Sequence, residues 1–474
     1  MTCLLLLLSA AAPPEVEPVR FGPEGGQVDA ERWTIRVPEN RADPDSRQIA
    51  VRFVRLPSES ETPAAPVVYL AGGPGGSGTG AAERRWPLFR AIREVADVVL
   101  LDQRGTGLSE RLPEYDSPVR YPGDKPVTAE LAASLKREAL TGYVAFLRKR
   151  GVDPLGYTTV QSAADVAAVR DALGVDRVNL LGISYGTHLA LATLKDHPDA
   201  VDRLVLASTE GLDQTVKLPA RVGGYLDRLQ AAIDADPAAK DAFPDVRGLI
   251  DRVQDRVRDD PPTVTVYRRD GTSSKRILSF FDVRTATGYM IADPGRVGDL
   301  LRAYREADEE GDFGYFAYFR GDDVGVTGMP ELMDTASGIS GDRLVTFQEQ
   351  AAGSPVGSAL NFPMPQLDGA VEGLRLPDAF REEAVSDRPC LVLSGTLDGR
   401  TFPEGHREAT AGLSNRTFVT IPGGGHNLFF DSPDVVPLVV EFLAGRGRFD
   451  GDPPAELETA PAEADWAELL LEAR

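Results

Sequence analysis

The sequence is short of the residues that support redox and metal chemistry. Its 474 residues include only 2 cysteines, Cys3 and Cys390, and 4 histidines. Two cysteines in such different contexts exclude a disulfide framework and leave the redox compartment unread. No Cys/His cluster and no His-Glu-x-x-His segment occurs, so no metal and no cofactor is expected. No run of 18 or more apolar residues occurs, which excludes a mature transmembrane span of the helical kind. Positive charge is also in deficit: 51 Lys and Arg stand against 73 Asp and Glu, for a formal charge of -22. That field makes nucleic acid or an anionic membrane face an unfavourable partner and suits a cationic or amine-bearing substrate. An acidic surface also serves plain solubility.

The first twelve residues, Met1 to Ala12, carry the apolar run Leu4 to Leu8 followed by small residues, like the second half of an export signal. No Lys or Arg precedes the run. The expectation is export (secreted, periplasmic or lipid-anchored, the last through Cys3 if the true start lies upstream), with a cytoplasmic location as the alternative.

Alternating patterns at 32–40 and 48–56 predict an antiparallel strand pair. Nearly continuous apolar runs at 66–71 and 95–101 predict strands covered on both faces. The segment Ser162 to Gly174 predicts a helix with Ser162 at its N-cap and Gly174 at its end. A strand at 177–181, a helix at 187–197 and a strand at 203–207 follow. This alternation predicts right-handed crossovers and a doubly wound, mostly parallel α/β sheet. From 211 to 387 amphipathic helical stretches dominate, interrupted by a hairpin pairing 263–267 with 276–281 around Asp270-Gly271. Strands resume at 389–395 and 416–422. The expected organisation is a core at 13–210 and 388–446, an inserted, mainly helical cap at 211–387, and an acidic, peripheral tail at 447–474.

Gly182-Ile183-Ser184-Tyr185-Gly186 lies between a predicted strand and a predicted helix. The pentapeptide is weak evidence alone, but in that context the glycines permit a sharp turn from which Ser184 projects. A serine nucleophile needs a base, an orienting acid and oxyanion donors. Among the four histidines, His188 and His197 fall on the following helix and read as helix-surface or helix-end residues, and His406 reads as the start of a solvated helix. His426, in Gly423-Gly424-Gly425-His426 after a buried strand, is left as the base. Asp398, just beyond the strand before it, completes the chain order Ser, Asp, His. The loop Gly72-Gly73-Pro74-Gly75-Gly76-Ser77-Gly78 allows close backbone approach to a substrate. It lacks the endings of a phosphate-cradling loop. Asp102 and Arg104 read as a bracing network beneath the site.

Together, Gly72 to Gly78, Asp102 to Ser109, Gly182 to Thr187 and the Asp398 and His426 segments resemble the proline iminopeptidase and tripeptidyl aminopeptidase family of α/β-hydrolases. The resemblance spans about 30–445 and is weak in the inserted segment. It implies an α/β-hydrolase fold and a serine exopeptidase acting on free N-termini. It assigns Ser184, Asp398 and His426 to a triad, with Gly73 and Tyr185 as oxyanion donors. Ala71 stands where proline iminopeptidases usually have His, which points to the tripeptidyl branch. Glu210 is the candidate to grip a substrate ammonium, beside its reading as a turn residue. An esterase or lactone hydrolase on the same triad, and a non-catalytic exported binding protein, remain open on the residues alone.

Overall fold

The computed structural model describes residues 13–267, 271–451, 453–462 and 464–471; the expected leader, Cys3 and Asp270 lie outside them. Among the described residues twelve strands form: β1 (Glu15–Phe21), β2 (Val28–Pro38), β3 (Gln48–Leu56), β4 (Ala64–Leu70), β5 (Ala96–Asp102), β6 (Val178–Ile183), β7 (Val201–Ala207), β8 (Thr263–Tyr267), β9 (Ser273–Ile277), β10 (Cys390–Gly395), β11 (Arg416–Ile421) and β12 (Glu456–Glu458). Ten of them make one sheet in the order β1-β2-β3-β5-β4-β6-β7-β10-β11-β12. It is antiparallel from β1 to the β3–β5 pair and parallel from there on.

The central strands are apolar on both sides because both sides are covered. Val68, Leu180 and Leu204 pack beneath helix Thr159–Leu173, while Val67, Leu181 and Val205 meet the helices Ala82–Arg93 and Val435–Leu443. Burial of such side chains, at roughly 1.5–3 kcal/mol each, is what sets the register. Between β7 and β10 the chain adds no strand to this sheet. Several of its helices and the β8–β9 hairpin gather around Tyr225, Ile250, Leu300 and Tyr304, a second apolar core, whereas helices Met329–Ser337 and Gly341–Ala351 pack into the first.

Four expectations are corrected. Helix Thr159–Leu173 is capped by Thr158, whose side chain accepts from Gln161 N, so Ser162 lies inside the helix and not at its cap. The second hairpin strand ends at Ile277, because Ser279 and Asp282 form a capping box that starts helix Phe280–Met290. β1 was not anticipated: it is largely exposed and carries charges, so it lacks the apolar signature of its neighbours. The acidic tail is not peripheral. Its β12 pairs with β11, and its helix Trp466–Leu471 sends Trp466 and Leu470 into the second core.

Candidate active site

Ser184 occupies the single residue between β6 and helix Tyr185–Asp196, at φ 55° and ψ −127°. This is a conformation that a non-glycine residue holds only under constraint from its surroundings. The constraint is visible on both flanks. A side chain at Gly182 would collide with the Gly186 carbonyl, and one at Gly186 with the Leu70 carbonyl. Ser184 N donates to Ala207 O at 3.0 Å, while Thr187 N and Thr187 Oγ1 both donate to Ser184 O, at 2.8 and 2.6 Å.

The glycine-rich loop after β4 lies against this turn: a Cβ on Gly72 would sit 2.9 Å from Ile183 O and 3.1 Å from Ser184 Cβ. Gly73 has φ 128°, which only glycine adopts readily. The loop is held from below by Asp102. Its carboxylate accepts from Ser77 Oγ at 2.7 Å, Thr79 N at 3.0 Å, Thr79 Oγ1 at 2.6 Å and Leu108 N at 2.7 Å. Arg104 instead forms a bidentate pair with Asp165, 2.7 Å on each side. The two residues therefore brace two different places.

Asp398 and His426 come together from the turns after β10 and β11. His426 Nδ1 is 3.0 Å from Asp398 Oδ2 and 3.1 Å from Oδ1. Asp398 is fully buried and also accepts from Arg400 N at 2.8 Å, Thr401 N at 2.9 Å and Thr401 Oγ1 at 2.8 Å. Burial alone would push its carboxyl up. The neighbouring His426, with a contribution from His406, outweighs burial and holds it well below the usual carboxylate range.

His406 is the residue that sequence reasoning misplaced. It is fully buried, not solvated, with Nε2 2.9 Å from Thr401 Oγ1 and Nδ1 2.8 Å from Ser394 Oγ. Since Thr401 gives its one hydroxyl proton to Asp398, it accepts from His406 Nε2–H, and His406 Nδ1 accepts from Ser394. The donors thus run in one direction toward the carboxylate. His188 is likewise buried and not on the surface: Nδ1 donates to Gly211 O at 3.0 Å, Nε2 accepts from Ser337 Oγ at 3.2 Å, and burial lowers its basicity. The signal that could have found both is the apolar company of their helices, but it is no different from that of a core helix.

A cavity of about 440 Å³ opens over Ser184, lined also by Gly72, Gly73, Tyr289, Asp293 and His426. Asp293, from the inserted segment, is the N-cap residue of helix Pro294–Glu309, yet its carboxylate does not cap that helix. It accepts instead from His426 N at 2.7 Å, Asn427 N at 2.9 Å and Asn427 Nδ2 at 3.0 Å. Nothing in the sequence marked it, because the contact joins segments 133 residues apart.

Glu210 is buried and lies outside this lining, with Lys217 Nζ 2.6 Å from its Oε2. Burial opposes its ionisation, but the Lys217 charge outweighs that and holds the carboxyl below its usual range. Asp334, on helix Met329–Ser337, is close enough to Glu210 to feel its charge. Burial and that like charge push the Asp334 carboxyl up to about 8.

Residues 65–254 match the α/β hydrolase fold family model, and residues 375–452 match the TAP-like protein model. A tripeptidyl aminopeptidase of Streptomyces lividans is 32% identical over 184 residues, 37% of this chain and 34% of that protein. The serine protease Hip1 of Mycobacterium tuberculosis is 26% identical over 299 residues, 59% of this chain and 56% of that protein. A proline iminopeptidase of Lactobacillus delbrueckii subsp. bulgaricus is 29% identical over 163 residues, 33% of this chain and 40% of that protein. The chain therefore spans between a third and just over half the length of these curated relatives. No helix among the described residues is long and apolar enough to cross a membrane. By the matched segments and by the order of its sheet, the chain has the α/β-hydrolase fold.

Proposed function

We propose that this chain is a serine hydrolase in which Ser184 attacks an acyl carbon, His426 takes the serine proton, and Asp398 holds the imidazole in the tautomer that can do so. The observation that carries the reading is that Ser184 and His426 line one cavity, with His426 Nδ1 3.0 Å from the buried Asp398 carboxylate. The backbone N–H groups of Gly73 and Tyr185 are the oxyanion donors in this reading, at the loop and helix start that flank Ser184. His426 passes that proton to the departing amine or alcohol as the scissile bond breaks and the acyl-enzyme forms, and it then takes a proton from the water that attacks the ester and releases the acid, returning a proton to Ser184.

The finer reading is an aminopeptidase releasing N-terminal residues or short peptides, supported by the named activities of the relatives. Glu210 is already paired with Lys217 and lies outside the cavity lining, so it is not the group that meets a substrate ammonium in this reading. A fluorophosphonate probe tests the chemistry, with Ser184 as the expected labelled residue. Labelling that persists in Ser184→Ala would sink the assignment. Aminoacyl and tripeptidyl anilides with free and acetylated N-termini test the specificity. Cleavage indifferent to acetylation removes the aminopeptidase reading.

One observation favours a second reading, an esterase or lactone hydrolase on the same residues. The carboxylate in the cavity wall, Asp293, already has three donors and is not free for an ammonium group.

A further inference from the structure

We propose that the cavity over Ser184 takes substrates that bear a carboxylate close to the scissile bond, held by the arginines of its wall. This rests on the serine-hydrolase reading above and specifies its substrate class.

Four arginines line the cavity with Ser184 and His426: Arg84, Arg85, Arg296 and Arg400. None of them forms an ion pair with a carboxylate among the described residues. Arg84 is exposed on helix Ala82–Arg93. Arg85 is 8% exposed; its guanidinium lies 4.8 Å from the centre of the Phe429 ring and donates to Asn427 Oδ1 at 3.2 Å. Arg296 is exposed with its guanidinium 5.0 Å from the centre of the Tyr289 ring, and Arg400 donates to Leu360 O at 2.8 Å.

Such a group runs against the charge of the whole chain. With a net charge of -22, carboxylates are in surplus. Several buried arginines elsewhere use that surplus: Arg320 pairs with Asp282, Arg343 with Glu408 and Arg381 with Asp378. The wall of the cavity offers only Asp293 against four cations, and Asp293 directs its oxygens at the His426 loop. A guanidinium that keeps free N–H donors in a partly dehydrated site is matched by a planar, two-oxygen anion. The cavity of about 440 Å³ has the size of small-ligand sites. The carboxylate has two sources: the C-terminus of a short leaving fragment, or an acidic group on the acyl side.

The test uses the full chain and the rate of Ser184 labelling by a fluorophosphonate, slowed by competing ligands. Tetra-alanine is compared with its C-terminal amide for the leaving side, and monomethyl glutarate with methyl pentanoate for the acyl side. In at least one pair the carboxylate member is expected to halve the labelling rate at about tenfold lower concentration than its neutral partner. The pair that responds identifies the source. In Arg84→Gln/Arg296→Gln the advantage should fall below about threefold while neutral ligands protect as before, with thermal stability checked in parallel. In the unaltered chain, raising NaCl from about 20 to about 500 mM should shrink the advantage. Equal protection in both pairs, no protection by either carboxylate, or an advantage that survives the double substitution overturns the proposal. Absence of Ser184 labelling overturns the hydrolase reading itself, a separate result.

Discussion

At the scale of single residues, the buried chain from Ser394 through His406 and Thr401 to Asp398 makes the sharpest prediction. Replacing His406 with Ala leaves Ser394 Oγ without its acceptor and Thr401 Oγ1 without its donor, while Thr401 still donates to Asp398, at about 1–3 kcal/mol for a buried group left unsatisfied. Under the serine-hydrolase reading, kcat should fall about tenfold or more with KM little changed, because Asp398 loses a neighbour that holds it ionised and oriented. Steady-state kinetics across pH 5 to about 9 checks this. Asp334 gives a second test. Its folded value of about 8 lies above its ordinary 3.8, so the folded state keeps a proton that the unfolded chain has lost. The contribution of Asp334 to stability must then decline as pH rises from about 4 toward 8 and level off above it. Asp334→Asn removes that decline and should gain on the order of 1–3 kcal/mol over the unaltered chain between pH 5 and pH 8, read as a difference in melting temperature. Ser184 was legible from five residues because its demands are local: glycine at 182 and 186, a strand before and a helix after. His188 and His406 were not, because burial is a property of the assembled molecule.

At the scale of elements, Asp293 is the telling contact. A residue at a helix N-cap ordinarily accepts from its own helix. This one gives both oxygens to the next loop over, and helix Pro294–Glu309 starts with its proline at the first position, where one donor fewer needs capping. Asp293→Ala should lower kcat about tenfold and destabilise by about 1–3 kcal/mol, with Asp293→Asn intermediate; parallel kinetics and thermal melts separate the two effects. Trp466→Ala should cost about 3 kcal/mol, since the indole is 6% exposed and sits in the second core. A chain that melts normally without that indole would mean the tail is only loosely docked. Most strands were readable from their runs of Val, Leu and Ile. Element ends were less so: Thr158 and Ser162 are both good caps, and only the geometry chooses between them. The box Ser279-Phe280-Phe281-Asp282 was present in the letters, but its two phenylalanines extend the apolar run of the strand before it.

For the whole molecule, charge is uneven. The chain carries -22 overall with an isoelectric point near 4.7, so solubility measured across pH should be lowest close to that value. The cavity over Ser184 has the opposite character, with four arginines and one carboxylate. Composition foretold the first property and concealed the second, because it averages over a surface that the fold divides. The mostly parallel sheet followed from short alternation of strand and helix, whereas its strand order and the packing of the inserted segment depend on contacts between distant stretches that no local pattern encodes. One of those contacts joins the inserted segment to the loop that carries His426. If the segment swings outward, Asp293 leaves with it, and His426 N and Asn427 N lose their shared acceptor in the same movement. Asp293 is thus a shared acceptor through which the position of the inserted segment is tied to that of the imidazole.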